Sequence, residues 1–177
     1  SAGTFLFDTE TWTERKCGDL ETHTRPSFVD GHINDMAFYK DRLVLASGQN
    51  VVFTETREPA NFWRTTMTQL LDADRLDLAI SAGNQGAGTI TSLTPGPQGL
   101  LVSTDQAQFL VTSGENAFTG ANVTIDNLSR QSTSLYTTPV VAQDRTYFTS
   151  ELGSHSRLWE FVIANKTGTA IDVTGHC

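Results

Sequence analysis

The feature that most constrains the fold is a strand–turn–strand–turn–strand pattern that occurs three times along the chain. β-Branched and aromatic residues cluster in short runs bounded by Gly, Asn, Asp or Pro, which is typical of β-strands. Corresponding runs begin about fifty residues apart, the spacing of propeller blades. Each unit is a small antiparallel meander that cannot bury its faces alone, so we expect the units to pack on one another.

The three sheet units are predicted near residues 33–56, 89–112 and 138–163. Their strands are predicted at 33–38, 42–47 and 51–56, at 89–93, 100–104 and 108–112, and at 139–142, 145–150 and 157–163. The turns are predicted at 40–41, 48–50, 95–97, 105–106, 143–144 and 153–155, where turn-forming residues concentrate. Because closed propellers usually have at least four blades, either sequence outside this chain completes the ring or the sheets pack less regularly.

The sequence therefore predicts an all-β chain of repeated antiparallel meander sheets, propeller-like and an incomplete portion of a larger propeller. We expect an N-terminal extended segment at 1–32 and a propeller-like β domain at 33–177, with an excursion at 57–88. Helical periodicity is confined to 61–71, which is either one helix or an irregular stretch. A fourth strand-like run follows at 78–80.

The charge balance argues against a protein that grips nucleic acid. Twelve Lys and Arg stand against twenty Asp and Glu, for a formal net charge of -8. No Lys or Arg occurs from Leu76 through Ser129, so this region lacks the basic surface needed to hold phosphates. No run approaches the roughly 18 apolar residues of a membrane-spanning helix, which predicts no membrane anchoring by this segment.

Two short motifs invite a ligand but favour a structural interpretation. Asp72, Asp74 and Asp77 could converge on a hard cation, yet the Gly and Glu of a calcium loop are missing. A turn in which Asp72 or Asp74 bonds backbone N–H groups is the preferred interpretation, so we expect no metal there. The Gly-rich stretch 83–88 precedes a predicted strand instead of a helix and is interpreted as an inter-sheet loop. The sequence predicts no cofactor.

No convincing catalytic set is present. The histidines are not accompanied by a Gly-x-Ser-x-Gly elbow, and His32 and His155 lie in or beside turns. A pair of glycosidase-type carboxylates is not excluded by sequence, but nothing selects which two. Cys17 and Cys177 are expected to be free thiols. We therefore predict a protein that is not an enzyme.

Most aromatic residues fall inside predicted strands, where alternation places them in the core. Phe62 and Trp63 lie outside the meanders and are the candidate interface residues.

Several short motifs run collinearly over nearly the whole chain and contain Cys17, Gly18, Asp19, Pro26, Ser27, Phe28, Asn34, Asp35, Arg42, Asn50, Asn61, Phe62, Asp74, Asp77, Gln108, Phe109, Ser156 and Arg157. With these positions the chain resembles the tail tubular protein B, or nozzle protein, family of short-tailed bacteriophages (podoviruses), and the resemblance carries them over as structural positions. This chain departs from the family pattern at Arg75, where Pro is common, in the longer Gly-rich link 83–88, and at the turn 95–98.

The resemblance implies a structural component of the virion tail, made in the host bacterial cytoplasm. It implies a ring of six copies that forms the nozzle through which the genome is ejected. The implied partners are the tail adaptor protein (tail tubular protein A), tail fibres or spikes, and viral double-stranded DNA in transient, non-specific contact. Family members are several times longer, so the chain is expected to be an internal portion.

Two alternatives stay open on the sequence. One is a carbohydrate-active tail propeller that depolymerises polysaccharide, and the other is a generic propeller interaction module. Fold alone does not separate these from a channel component.

Overall fold

The computed structural model describes residues 6, 8–80, 88–113, 118–164 and 167–175. Within these residues the fold is all-β and contains no α-helix. The described strands are β1 (Asp35–Tyr39), β2 (Arg42–Ser47), β3 (Asn50–Phe53), β4 (Leu76–Ala79), β5 (Ile90–Gly96), β6 (Gly99–Thr104), β7 (Gln108–Thr112), β8 (Thr124–Ser129), β9 (Val140–Ala142), β10 (Arg145–Leu152), β11 (His155–Ala164) and β12 (Thr167–Asp172).

The strands form three four-stranded antiparallel meanders in chain order. Sheet 1 contains β1 to β4, sheet 2 contains β5 to β8, and sheet 3 contains β9 to β12. The tight β1–β2 hairpin shows how local sequence sets this order. Lys40 and Asp41 both have positive φ, 48° and 60°, which is the geometry of a type I′ turn and matches the right-handed twist of the strands.

Sheet 2 is the middle layer of the stack. On β6 and β7, Leu100, Val102 and Phe109 pack toward sheet 1, where Val44 and Phe53 join the same core. The alternate residues Leu101 and Leu110 pack toward sheet 3, against Phe148 and Phe161. Because strand side chains alternate between faces, a strand buried on both sides must be apolar or uncharged throughout.

The expectation of repeated antiparallel meander sheets is confirmed, since each of the nine strands predicted in the three units has a counterpart. Each unit also gains a fourth strand. The run predicted at 78–80 is β4, which pairs with β3 and so belongs to sheet 1. β8 and β12 were not predicted. Completion of a propeller ring stays a prediction.

Of the two alternatives for 61–71, the irregular stretch is confirmed, since no helix lies there. The side chain of Asn61 accepts a hydrogen bond from the backbone N–H of Trp63 at 2.9 Å and forms a local turn. One turn was placed wrongly. The turn predicted at 95–97 begins later, because Pro95 and Gly96 belong to β5. β5 is an edge strand, where the missing N–H of proline is tolerated.

Residues 8–32, here called the strap, contain no strand and lie against the outer face of sheet 1. Phe28 of the strap and Phe62 pack on Leu45 and Val52, which face away from sheet 2. The division of the chain into 1–32 and 33–177 stays a prediction. The Gly-rich stretch at 83–87 and Cys177 lie outside the described residues, so the expectations about them stay predictions as well.

Candidate functional site

Arg42 begins β2 and is the largest fully buried side chain among the described residues, with 1% of its surface exposed. One guanidinium nitrogen donates to the carbonyl oxygens of Thr54 and Asp74, both at 2.7 Å. The other donates to the carbonyls of Asp72 at 2.9 Å and Phe118 at 3.3 Å. Burial lowers the pKa of Arg42, although Glu55 and Asp74 oppose the shift. The side chain therefore joins β2 to three separate loops through its planar fork of donors.

The acidic loop lies beside this arginine. Asp74 is buried, and its Oδ2 accepts the N–H of Leu71 at 2.8 Å, while the N–H of Asp74 donates to the carbonyl of Leu71. Asp74 thus closes a turn whose carbonyl groups point at Arg42. Among the described residues, no three His, Cys, Asp or Glu side chains are grouped closely enough to hold a metal ion.

Asn34 and Asp35 join sheet 1 to sheet 2. The side-chain amide of Asn34 donates to the carbonyl of Ile90 at 2.8 Å, and Asp35 Oδ2 accepts the N–H of Leu93 at 2.7 Å. Both partners belong to β5, whose edge would otherwise leave these backbone groups without strand partners. These two motif positions therefore fix how the first two sheets meet.

Asp77 on β4 anchors the strap. Its carboxylate accepts the backbone N–H of Ser27 at 2.9 Å and the hydroxyl of Ser27 at 2.7 Å. Arg75 lies 3.2 Å from Asp77 Oδ2 and also donates to the carbonyl of Thr24. Burial lowers the pKa of Arg75, and Asp77 opposes the shift. Arg75 thus adds a second contact to the same anchor.

A second fastening point surrounds His23, which sequence reasoning did not select. His23 is 2% exposed; its Nδ1 lies 3.2 Å from the carbonyl of Cys17, and its Nε2 accepts the N–H of Arg64 at 3.2 Å. Cys17 Sγ donates to the carbonyl of Arg64 at 3.1 Å. Gly18 has φ +72°, and a Cβ there would lie 2.8 Å from the Cβ of His23, so only glycine fits this turn.

Asp19 closes the turn that carries His23. Asp19 Oδ1 accepts the backbone N–H groups of Glu21 and Thr22 and the hydroxyl of Thr22. These bonds, led by the N–H of Thr22, lower the pKa of Asp19. The motif Cys17, Gly18 and Asp19 is thus a local scaffold for one buried imidazole. Since His23 lies six residues after Cys17 in a polar stretch, no local signal separated it from a solvated histidine.

Phe62 and Trp63 contact the strap of their own chain. Phe62 is 5% exposed; its ring lies 4.8 Å from that of Phe28 and 5.7 Å from that of Trp12. Trp63 packs edge-on against His23, and the guanidinium of Arg15 lies over its ring. Their role as an interface with another molecule stays a prediction.

An apolar groove of about 490 Å³ opens beside these rings. Its lining includes Trp12, Phe28, Phe62, Met36, Leu43 and Leu45. Met36 and Phe38 of the edge strand β1 are 67% and 68% exposed. The groove can accept apolar side chains, but it contains no cluster of polar groups suited to chemistry.

The remaining motif positions lie apart from one another. Asn50 pairs with Ser47 and Ala79 across sheet 1, and Asn61 bonds Glu55 and Trp63.

Gln108 is fully buried and bonds Ser129 and Thr133, and Phe109 lies in the core next to it. Ser156 and Arg157 are on β11, where Arg157 faces Asp172 at 3.7 Å, and Pro26 precedes the Ser27 anchor. The structure does not bring these positions into one site.

Part of the cation-free run from Leu76 through Ser129 has a structural explanation. Every residue of β6 and β7 is buried, and unpaired Lys or Arg would be costly there. Burial therefore accounts for the absence of cations from β6 and β7, but not for their absence from exposed positions such as Asp77 and Thr124. In the described part of the structure, no helix is long and apolar enough to cross a membrane.

Comparison with known proteins gives two matches. The family model described as "Bacteriophage nozzle protein" matches residues 1–177. The chain is also 28% identical over 177 residues to "Tail tubular protein gp12" of Escherichia phage T7, an alignment that covers 98% of this chain and 22% of the relative. The chain thus spans about a fifth of the length of that relative. Since the family model matches the chain from its first residue to its last, the chain belongs to the bacteriophage nozzle protein family.

Proposed function

We propose that this chain is part of the ring-shaped nozzle of a short phage tail, through which the genome is ejected into the host. The match of the whole chain to the nozzle family carries this proposal. The family match and the tail tubular relative support a structural component of the phage tail. The contacts of the motif positions agree with that role. Arg42 joins β2 to loops, Asp35 joins sheet 1 to sheet 2, and Asp77 joins the strap to sheet 1.

The finer assignments are proposals of the same kind. The protein forms a hexameric ring, contacts the tail adaptor and tail fibres or spikes, and touches viral duplex DNA without reading its sequence. It is made in the host cytoplasm, assembles into the virion tail, and is not an enzyme. The negative formal charge of -8 supports weak contact with DNA.

Locating the chain in virions tests the proposal. A short epitope inserted at the turn Gly153–Ser154 is suitable, because a Cβ at Gly153 would meet nothing within 4 Å, and exposed turns tolerate insertion. We expect antibody label on the tail below the head, and a six-fold ring in averaged images of purified tails. Untagged virions provide the control. Label on the head, or tagged protein absent from purified virions, would contradict the proposal.

A further inference from the structure

Two of the contacts that fasten the strap, at Ser27 and at His23, differ in chemistry. The strap is also held where the N–H of Thr13 donates to the carbonyl of Ala60 at 3.0 Å. Ser27 donates two hydrogen bonds to the carboxylate of Asp77. Four residues earlier in the strap, His23 is buried against loop 61–67. Of these two fastenings, only the second depends on a group whose ordinary pKa lies near neutral pH.

The hydrogen bonds of His23 require the neutral imidazole. Nε2 accepts the backbone N–H of Arg64, so the ring proton must be on Nδ1, which donates to the carbonyl of Cys17. A proton added at Nε2 would point at the N–H of Arg64 and break that bond. The ring is almost fully enclosed, so the imidazolium would have no water to solvate it.

The charged groups around His23 also oppose protonation. Arg15 of the strap donates to the carbonyl of His23 and lies over Trp63, Arg64 belongs to loop 61–67, and Arg75 precedes β4. The carboxylate of Asp77 is bound to Arg75 and Ser27, and that of Asp19 is bound within its own turn. Burial lowers the pKa of His23 below 6.5, and the three arginines lower it further, while the bond to Cys17 raises it.

We propose that His23 is a proton-operated latch, whose protonation releases strap residues 12–23 from loop 61–67 while the Ser27–Asp77 anchor retains the rest of the strap. Release separates Trp12 from Phe62 and removes Trp12 from the lining of the apolar groove over sheet 1. The latch is fully closed above the ordinary histidine pKa and opens progressively as the pH falls from there through the lower native pKa. This inference does not depend on the tail role proposed above.

Hydrogen–deuterium exchange at about pH 7.5 and pH 5 tests the latch, with rates corrected for the intrinsic pH dependence of amide exchange. We expect strap peptides covering 8–24 to lose protection by up to about tenfold for each pH unit between the ordinary histidine pKa of 6.5 and the lower native pKa of His23, because closing in that range requires loss of one proton. Peptides from β6 and β7 serve as the internal control and keep their protection. Loss of protection in both regions would mean global unfolding and would overturn the latch.

Two variants separate the effect of protonating His23 from other effects of acid on the strap. His23→Gln can accept from Arg64 and donate to Cys17 but does not titrate, so its strap stays protected at both pH values. His32→Gln is the matched control, since His32 is an exposed histidine of the same strap, and it should open like the unmodified protein. Acid opening that persists in His23→Gln would overturn the proposal.

A measurement on the unmodified protein covers the case in which His23→Gln does not fold. Imidazole nitrogen chemical shifts report the tautomer and the titration midpoint of His23. We expect the Nδ1–H tautomer at neutral pH and a midpoint that coincides with strap opening. A proton on Nε2 at neutral pH, or midpoints more than about one pH unit apart, would contradict the latch.

Discussion

The carboxylate of Asp77 on β4 receives both the backbone N–H and the hydroxyl of Ser27, a residue 50 positions earlier in the chain. Both are family-motif positions, and no neighbouring residue in the sequence explains why a serine and an aspartate are needed there. Their pairing holds the strap on the outer face of sheet 1, where Phe28 covers Leu45. The two motif positions are therefore far apart in the sequence but in direct contact in the fold.

Removing this pair should lower the free energy of unfolding. Ser27→Ala removes one hydrogen bond to a charged group, for an expected loss of about 1.5–3 kcal/mol. Asp77→Ala should cost at least as much, because it also leaves Arg75 without its carboxylate partner. Urea unfolding of both single variants and the double variant gives the coupling energy. A double variant whose loss equals the sum of the single losses would show that the two side chains are not coupled.

Arg42 should be among the least replaceable residues of sheet 1. Arg42→Met keeps an unbranched apolar stem but leaves four carbonyl oxygens without their donor, and we expect a loss above about 3 kcal/mol. Arg42→Lys should be intermediate, because an ammonium group has three donors and no planar fork. Arg57, whose side chain is mostly exposed, is the control, and Arg57→Met should change stability by less than about 0.5 kcal/mol. Equal effects at the two positions would contradict the assignment.

Phe109 and Phe38 form a matched pair for the core. Phe109 is fully buried between sheets 1 and 2, whereas Phe38 lies exposed on the edge strand β1. Phe109→Ala should therefore lower the free energy of unfolding by about 3–5 kcal/mol, and Phe38→Ala by less than about 1 kcal/mol. Thermal or urea unfolding measures both. A larger loss at Phe38 would mean that the exposed face of sheet 1 is covered in solution.

Acid should weaken the strap turn at Asp19. The N–H of Thr22, the hydroxyl of Thr22 and the N–H of Glu21 lower the pKa of Asp19 below 3.8. The stabilisation is therefore fully present above pH 3.8 and is lost as the pH falls through the native pKa. The stability difference between the unmodified protein and Asp19→Asn should shrink to nothing in strong acid. Glu21→Gln is the control, because Glu21 takes part through its backbone N–H; an identical pH profile for both variants would contradict this.

Purified protein should bind duplex DNA weakly or not at all. Its formal net charge is -8, and each phosphate contact would add about 0.9 to the slope of log affinity against log salt. We expect a slope near zero in fluorescence anisotropy titrations at several salt concentrations. Submicromolar binding at physiological salt that varies with DNA sequence would show that the protein reads DNA.

The meanders could be predicted because their signals are local. Alternating apolar residues and turn residues lie within a few positions of one another, as at the Lys40–Asp41 turn. β8 was missed because Asp126 and Asn127 occupy a strand of only six residues, and both types are depleted from strands. β12 contains Gly168, which also weakens a strand signal. A Cβ there would lie 2.2 Å from Cζ of Phe161, so the reason for glycine is a ring on the neighbouring strand.

The polar contacts could not be predicted for a similar reason. Arg42 binds carbonyl groups of residues as far away in the sequence as Thr54 and Phe118. No neighbouring residue in the sequence indicates that Arg42 is buried. The imidazole of His23 is held by a hydrogen bond from the backbone N–H of Arg64, which is 41 positions away in the sequence. The motif positions were predicted as structural positions without their partners, because the partner of each is fixed only by the stacking of the sheets.

The middle sheet determines how the chain can be divided. On β6 and β7, neighbouring residues support opposite cores, since Leu110 packs toward sheet 3 and Phe109 and Val111 pack toward sheet 1. A cut that removed either outer sheet would turn one face of these strands from interior to surface and leave a broad apolar area exposed to water. The three sheets should therefore unfold in one cooperative step, and no single sheet should survive as an independent fragment.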